Sequence, residues 1–154
     1  LGGAATAAGT GRVGVVGLRK RGTAKTPRLH TPPLRDSPGV QGVGARAEAR
    51  LSAGRGWLMQ EAQWAWQEVE EQASLSIRQR NRIRLAATHA IHEAKGAVDV
   101  LYDAAGTSAV FADGPFERRF RDIHMIAQQI QGRKSHYRSV GAGMLGHEPG
   151  MGVI

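Results

Sequence analysis

The sequence predicts an all-α protein, an antiparallel up-and-down bundle of three to four long helices. Apolar and small residues recur every three or four positions along three long segments, which is the period of an amphipathic helix. Short or moderate turn-forming stretches separate these segments, and such connections favour antiparallel neighbours. No segment alternates apolar and polar residues with period two. We therefore expect helices packed side by side and no β-sheet.

The N-terminal part is basic and rich in glycine, so residues 1–24 predict at most a degenerate first helix. Twelve of the 21 glycines fall in the first 56 residues, and each costs a helix about 1 kcal/mol relative to alanine. Residues 25–39 contain four prolines and predict a loop. Ser37 and Pro38 then predict a helix start, with serine as the N-cap and proline at the first helical position.

Each of the three periodic segments has its own apolar positions. In the first they are Leu51, Leu58, Ala62, Ala65, Val69 and Ala73. Ser76 and Gln79 predict a capping box at the start of the second. Its apolar positions are Ile83, Ala87, Ala90, Ala94, Ala97, Leu101 and Ala105, a narrow seam that allows close helix packing. After Gly114 and Pro115, one last helix is predicted from Phe116, Phe120, Ile123, Ala127, Ile130 and Tyr137.

The net charge of +8 is confined to the N-terminal part of the chain. Residues 1–56 hold ten basic and two acidic side chains, whereas residues 57–154 hold eleven of each. A basic tail can bind phosphate backbones non-specifically, but no helix-turn-helix or stacking platform accompanies it. Nucleic acid is therefore kept only as an alternative partner.

The composition excludes several classes of protein and site. Without cysteine the chain has no disulfides and no thiolate metal site. No apolar run approaches the roughly 18 residues of a membrane span, and the N-terminal charges follow the apolar part, the wrong order for a secretory signal. We expect a cytoplasmic protein, and its first residue, Leu1, suggests a fragment or a processed product.

Three stretches resemble a known family when taken in order. "VDVLYDAAGTSAVF", "PFERRFRDIH" and "YRSVGAGMLG" are similar to the C-terminal helical domain of the acyl-CoA dehydrogenase superfamily. The closer similarity is to its second type, which includes two-component flavin-dependent monooxygenases. The likeness covers residues 25–149, including the "KTPRLHTPPLRDSPGVQ" loop, so that residues 1–24 and 150–154 would lie outside it.

The resemblance implies a flavin cofactor, FAD or FMN, bound between this bundle and two further domains. It also implies a homo-oligomer, a tetramer in most relatives, and in the monooxygenase branch a separate flavin reductase. The loop that matches Gly106, Thr107 and Ser108 lies in relatives against the flavin of a neighbouring subunit. A glycine lets the backbone approach closely, and hydroxyls can donate hydrogen bonds. Read without the family, the same stretch is an ordinary interhelical loop.

The resemblance assigns the catalytic role to His124. In the monooxygenase branch the matching histidine lies near the flavin as an acid, a base or an oxyanion partner, which suits imidazole with its ordinary pKa of about 6.5. Arg121 lies three residues earlier on the same side of the helix and is expected at the flavin site. Asp122 is expected to pair with Arg118 or with a neighbouring helix. Without the resemblance, His124 would be a partly buried bundle histidine.

One departure from the commoner dehydrogenases separates the two branches. Those enzymes carry a carboxylate base after their Arg-Asp motif, whereas residues 125–146 contain no acidic residue. The monooxygenase branch is therefore favoured. An FAD-dependent acyl-CoA dehydrogenase stays an alternative, because some members place the base on another helix, and so does a non-catalytic oligomerisation module. The other two domains have no counterpart here, so we expect the chain alone to be inactive or very weakly active.

Three further groups of side chains are interpreted structurally. His89 and His92 have the spacing of two helical metal ligands, but no further ligand completes the set. The tryptophans at positions 57, 64 and 66 are predicted to pack rather than to form a stacking platform. The alternating arginines from Arg78 to Arg84 are predicted to lie on a solvated or subunit-facing helix start.

Overall fold

The computed structural model describes residues 2–24, 36–110 and 115–147, and within these ranges every regular element is a helix. The five α-helices are α1 (Gly2–Ala24), α2 (Pro38–Gln72), α3 (Ile77–Ala105), α4 (Pro115–Gln128) and α5 (Ser135–Met144). Short 3₁₀ helices cover Gly106–Val110 and Ile130–Gly132. The predicted all-α class is confirmed. No described helix is long and apolar enough to cross a membrane.

Helix α3 runs antiparallel to its neighbours on either side. Along α2 the contacting pairs are Glu61 with Arg82, Gly54 with Ala90, and Arg50 with Glu93. Along the C-terminal part they are Tyr102 with Phe120, Asp99 with His124, and Thr88 with His136. In both sets the residue number rises on one helix as it falls on the other. Helices α4 and α5 therefore lie end to end along α3.

The predicted alanine seam of α3 lies in the core. The five seam alanines and Leu101 are buried, and Ile91 beside them is also fully buried. Burial of one such large aliphatic side chain contributes about 1.5–3 kcal/mol. The small residues bring backbones together: a Cβ on Gly54 of α2 would lie 3.3 Å from Ala90 Cα. The prediction of close packing along this seam is thus confirmed.

Residues 2–24 form a helix in spite of their glycines. Ala4, Ala7 and Thr10 are buried, and a Cβ on Gly11 would collide with the side chain of Leu51. Gly11 and Gly14 therefore lie where α1 packs on α2 and α3, and tertiary packing supplies the stability that intrinsic propensity lacks.

The two predicted helix starts are found, but the capping box is only half formed. Ser37 is the N-cap of α2, followed by Pro38. At α3, Ser76 Oγ accepts a hydrogen bond from the Gln79 backbone N–H at 3.1 Å. The Gln79 side chain does not return to Ser76. It donates instead to the backbone oxygen and the carboxylate of Glu61, at 3.1 and 3.2 Å.

Glu61 is a fully buried carboxylate that joins α2 to α3. Its oxygens accept hydrogen bonds from Arg82 at 2.7 to 3.1 Å and from Trp57 Nε1 at 2.9 Å. Burial alone would raise the pKa of Glu61, but hydrogen bonds from Arg82, Trp57 and Gln79, with the charge of Arg82, lower it below its ordinary value. Arg82 therefore does not belong to a solvated helix start, and that interpretation was wrong for it.

The predicted single last helix is in fact two helices. α4 ends at Gln128, the 3₁₀ helix Ile130–Gly132 follows, and α5 begins at Ser135. Ile130 is 45% exposed, so it is not a core position. A Cβ on Gly132 would lie 2.6 Å from Ala127 O, so the chain can fold back tightly here only with glycine.

The far end of α2 also departs from the predicted core. Val69 is 42% exposed, and Ala73 is exposed as the left-handed C-cap. Trp57 packs as predicted, edge-on with His89, and the centroids of the two rings are 5.4 Å apart. Trp66 is 69% exposed, so the packing prediction was wrong for it. Trp64 is 41% exposed, but its ring centroid lies 5.0 Å from the Arg82 guanidinium carbon.

Candidate functional site

His124 lies on the side of α4 that faces α3. The helix begins at Pro115, and Phe116 and Ile123 on its apolar face are buried. One position after Ile123, the side chain of His124 is 33% exposed. The histidine is therefore held at the edge of the core, where solvent or a ligand can still reach part of its ring.

Both ring nitrogens of His124 face oxygen atoms. Nδ1 lies 2.8 Å from the carbonyl oxygen of Phe120, and since a carbonyl only accepts, Nδ1 is the donor. Nε2 lies 3.4 Å from Asp99 Oδ1 on α3. The contact with the Phe120 carbonyl fixes the ring orientation and occupies Nδ1. Nε2, which faces Asp99, is therefore the atom available for proton exchange.

Asp99 is a member of this site that the sequence reasoning missed. Its Oδ2 accepts from Lys95 Nζ at 2.7 Å. Its Oδ1 is buried and accepts no hydrogen bond from the described residues. The His124 Nε2 atom at 3.4 Å is within ion-pair distance of Oδ1, but the contact does not have hydrogen-bond geometry. The signal lay within "VDVLYD", but the packing of α3 on α4 was needed to bring Asp99 to His124.

An aromatic stack supports the His124 ring. The centroids of Phe120 and His124 are 4.1 Å apart, and those of Tyr102 and Phe120 are 4.5 Å apart. Tyr102 comes from α3, so the stack crosses the same helix pair as the contact with Asp99. The rings restrict rotation of the imidazole, which adds to the constraint from the Phe120 carbonyl.

The structure does not bring Arg121 to His124. The Arg121 side chain is 72% exposed and pairs with Glu117 at 3.3 Å, one turn earlier on α4. Asp122 lies 3.8 Å from Arg118 and 3.6 Å from Arg119. The contact of Asp122 with Arg118 is the one the sequence predicted.

The loop that carries Gly106, Thr107 and Ser108 caps α3. Gly106 has φ 63° and ψ −156°, a conformation that L side chains rarely adopt. Among the described residues, its two chain neighbours apart, no atom lies within 4 Å of the position its Cβ would take. The positive φ therefore favours glycine here. Thr107 is exposed, and the side chain of Ser108 lies outside the described part of the chain.

The turn between α4 and α5 is held from α3. Thr88 Oγ1 donates to Gln131 O at 3.1 Å and lies 3.0 Å from His136 Nδ1. Since the hydroxyl proton is used on the carbonyl, His136 Nδ1 is the donor in the second contact. Burial lowers the pKa of His136, with a further contribution from the positive charge of Arg84.

His89 and His92 contact different partners and do not share a site. His89 packs on Trp57, whereas His92 Nε2 donates to Gly132 O at 2.9 Å. In the part of the chain that the structure describes, no group of three or more histidines and carboxylates could hold a metal ion.

A cleft of about 570 Å³ lies between α3, the end of α4 and the turn before α5, and Asp99, the neighbour of His124, is one of its lining residues. Lys95 and Asp99 line one wall, and Arg133 and Lys134 line the other. Asp99 thus contacts His124 and is also one of the residues that line the cleft.

Comparison with known proteins identifies a matching protein family and solved structures with the same helical fold as this chain. A sequence model described as "Acyl-CoA dehydrogenase, C-terminal domain" matches residues 2–133. The chain is 26% identical over 123 residues to an indole-3-acetate monooxygenase from Pseudomonas putida, covering 80% of this chain and 32% of that protein. It spans only about a third of that relative's length.

Two solved structures share the fold. XiaF from Streptomyces sp., in complex with FADH2 and glycerol, has TM-score 0.89 and 17% identity, covering 99% of this chain and 39% of XiaF. A 3-HSA hydroxylase from Rhodococcus sp. RHA1 has TM-score 0.83 and 18% identity, covering 95% and 36%. The resemblance stated from the sequence is confirmed, because the family match extends over more than half of the chain. The chain belongs to the acyl-CoA dehydrogenase C-terminal domain family.

Proposed function

We propose that the chain is the C-terminal portion of a flavin-dependent oxidoreductase, closer to the two-component flavin monooxygenases than to the acyl-CoA dehydrogenases. The observation that carries this proposal is the arrangement of His124, which is fixed at Nδ1 and faces at Nε2 the residue Asp99, itself part of the lining of an open cleft. The absence of any acid in residues 125–146 supports the monooxygenase branch over a dehydrogenase with its base there.

In this proposal His124 positions substrate and moves a proton at Nε2. The Nδ1 proton is committed to Phe120 O, so proton exchange at Nε2 leaves the ring orientation unchanged. Asp99 Oδ1 faces Nε2 at 3.4 Å, and Lys95 pairs with the other carboxylate oxygen of Asp99. A positioned imidazole of this kind is the commonest general acid or base.

The exposed loop fits a flavin. No described side chain crowds Gly106, and Thr107 offers a hydroxyl beside it. Together with Ser108, these residues would hold FAD or FMN at a subunit boundary. Flavin, when bound, supplies the two-electron chemistry that protein side chains lack. Arg121 would contribute only if it left Glu117, because in this chain the two form an ion pair.

The proposal extends to the assembly and to the limits of this chain. Because the chain spans about a third of the Pseudomonas relative, catalysis belongs to the whole protein, and the chain alone is inactive or very weakly active. We place the whole protein in the cytoplasm as a homotetramer, supplied with reduced flavin by a separate reductase.

Flavin binding and oligomeric state, measured on one sample, test the proposal. FMN, FAD and riboflavin, each oxidised and reduced, are titrated against the chain while light scattering after size exclusion gives its mass. Gly106→Val should weaken flavin binding about tenfold or more, because a branched side chain is strained at positive φ. Gly56→Val is the matched control, on a helical glycine with open surroundings.

His124 is tested in the same assay. His124→Gln should weaken the binding of reduced flavin, whereas His147→Gln, at an exposed position after α5, should not. An oligomer that binds neither form of flavin would contradict the proposal. It would identify the bundle as a non-catalytic assembly module.

A further inference from the structure

The cleft that Asp99 lines has two walls of different electrostatic character. On α3, Lys95 and Asp99 are paired at 2.7 Å and largely neutralise each other. On the opposite wall, Arg133 and Lys134 are exposed. Among the described residues, neither of these two cations has a carboxylate within ion-pair distance. Within the described ranges, the cleft therefore presents two positive charges that have no ion-pair partner.

Other features of the same wall reinforce its positive potential. α5 begins at Ser135, a residue that lines the cleft, and the positive end of the helix dipole favours an anion there. The N–H groups of His136 and Tyr137 already donate to Arg133 O and Lys134 O, so they add no further donors. The pKa of His136 is lowered first by burial and then by the charges of Arg84 and Arg133. A neighbouring group thus also experiences a positive field.

The geometry connects this wall with the candidate catalytic residue. Asp99 lines the cleft, and its Oδ1 lies 3.4 Å from His124 Nε2. A volume of about 570 Å³ lies within the usual range of small-molecule sites. A molecule anchored at Arg133 and Lys134 could therefore extend along the cleft to Asp99 and His124.

We propose that Arg133 and Lys134 bind the anionic group, a carboxylate or a phosphate, of a small organic molecule whose remainder extends toward Asp99 and His124. Arginine binds such groups in a fork, and lysine adds a second charge. The inference rests on the proposed function, since the molecule would be the acidic substrate, or the flavin through its phosphate. These two sources share one chemistry and are separated by the choice of probe.

The test uses two pairs of probes that differ in charge. Indole-3-acetate is compared with its neutral amide, and FMN with riboflavin, by backbone NMR of the labelled chain at low salt and up to millimolar probe. At least one anion should shift the amides of residues 132–136 and bind about tenfold more tightly than its neutral counterpart. A preference for indole-3-acetate assigns the site to a substrate carboxylate, and one for FMN assigns it to the flavin phosphate.

Variants identify the residues responsible. The double variant Arg133→Gln with Lys134→Gln should lose the preference for the anion. Arg138→Gln, on an exposed arginine of α5 outside the cleft, should keep it within about twofold. Circular dichroism verifies that each variant remains helical. The proposal is overturned if neither anion is preferred, if the preference survives the double variant, or if Arg138→Gln loses it equally.

The same probes separate failure of the cleft inference from failure of the flavin proposal. Riboflavin lacks the phosphate, so its binding reports on the Gly106 loop without the cleft cations. His124→Gln should leave the anion preference intact. If the wild-type chain binds riboflavin but prefers neither anion, the cleft inference alone is overturned. If it prefers an anion but does not bind riboflavin, the flavin proposal alone is overturned.

Discussion

Glu61 shows how one residue can set the energetics of a helix pair. Its carboxylate is fully buried, and Arg82 is its charged partner, with a side chain 39% exposed. Arg82→Met should lower the free energy of unfolding by about 2–3 kcal/mol, because it leaves a buried charge uncompensated. Chemical denaturation gives the value. Arg80→Met, at an exposed position on the same helix, should change it by less than about 0.5 kcal/mol.

Acidification distinguishes the charge of Glu61 from simple packing. The pKa of Glu61 is below 4.5 in the folded protein, so its contribution to stability is present above that pH and is lost as the pH falls through the folded pKa. The stability difference between wild type and Arg82→Met should therefore shrink below pH 4.5. A difference that does not change with pH would mean that Arg82 acts through its apolar stem.

Among the helices, the break between α4 and α5 was the element the sequence could not predict. The apolar rhythm continues through Ile130, and "QQIQGRKSH" contains neither proline nor a predicted cap. The break is stabilised by hydrogen bonds from two residues of α3, because Thr88 donates to Gln131 O and His92 donates to Gly132 O. Local periodicity cannot report such contacts, because their partners lie about 40 residues away in sequence.

Thr88 provides the test of this element. Thr88→Val should cost about 1–3 kcal/mol of unfolding free energy, since it leaves Gln131 O and His136 Nδ1 without their partner. Thr6→Val removes a hydroxyl-to-carbonyl hydrogen bond of similar length at an exposed site, and should change stability little. Hydrogen exchange should accelerate for the amides of residues 130–137 in the first variant only. Equal effects of both variants would contradict a special role for Thr88.

The same turn should make stability depend on pH near neutrality. The pKa of His136 is lower in the folded chain than its ordinary 6.5, so the unfolded chain binds more protons as the pH falls through 6.5. This contribution is present above pH 6.5 and is lost on acidification toward the folded pKa. The stability advantage of wild type over His136→Gln should therefore be larger well above pH 6.5 than well below it. A constant difference would show that protonation of His136 is not linked to folding.

At the scale of the whole molecule, the sequence predicted what depends on repeated pattern and missed what depends on single cross-helix contacts. The α3 seam and the helix starts at Ser37 and Ser76 follow from local spacing, and all three are found. The contacts of Asp99 with His124 and of Gln79 with Glu61 depend on which helices pack together, and local sequence rules do not specify that. His124 itself was identified through family resemblance, since a single histidine on a helix carries no distinguishing pattern.

The α2–α3 interface of the bundle depends on a small residue at one crossing. A side chain at Gly54 would press on the Ala90 backbone, whereas Gly56, two residues later on α2, has open space. Gly54→Leu should lower the free energy of unfolding by about 1–3 kcal/mol through overpacking. Gly56→Leu should raise it by about 0.5–1 kcal/mol, because leucine is a far better helix former than glycine. The two variants lie on one helix and make the same chemical change, so opposite signs of the change in unfolding free energy, measured by denaturation, would isolate the packing effect. A stabilising Gly54→Leu would show that α2 and α3 do not approach closely in solution.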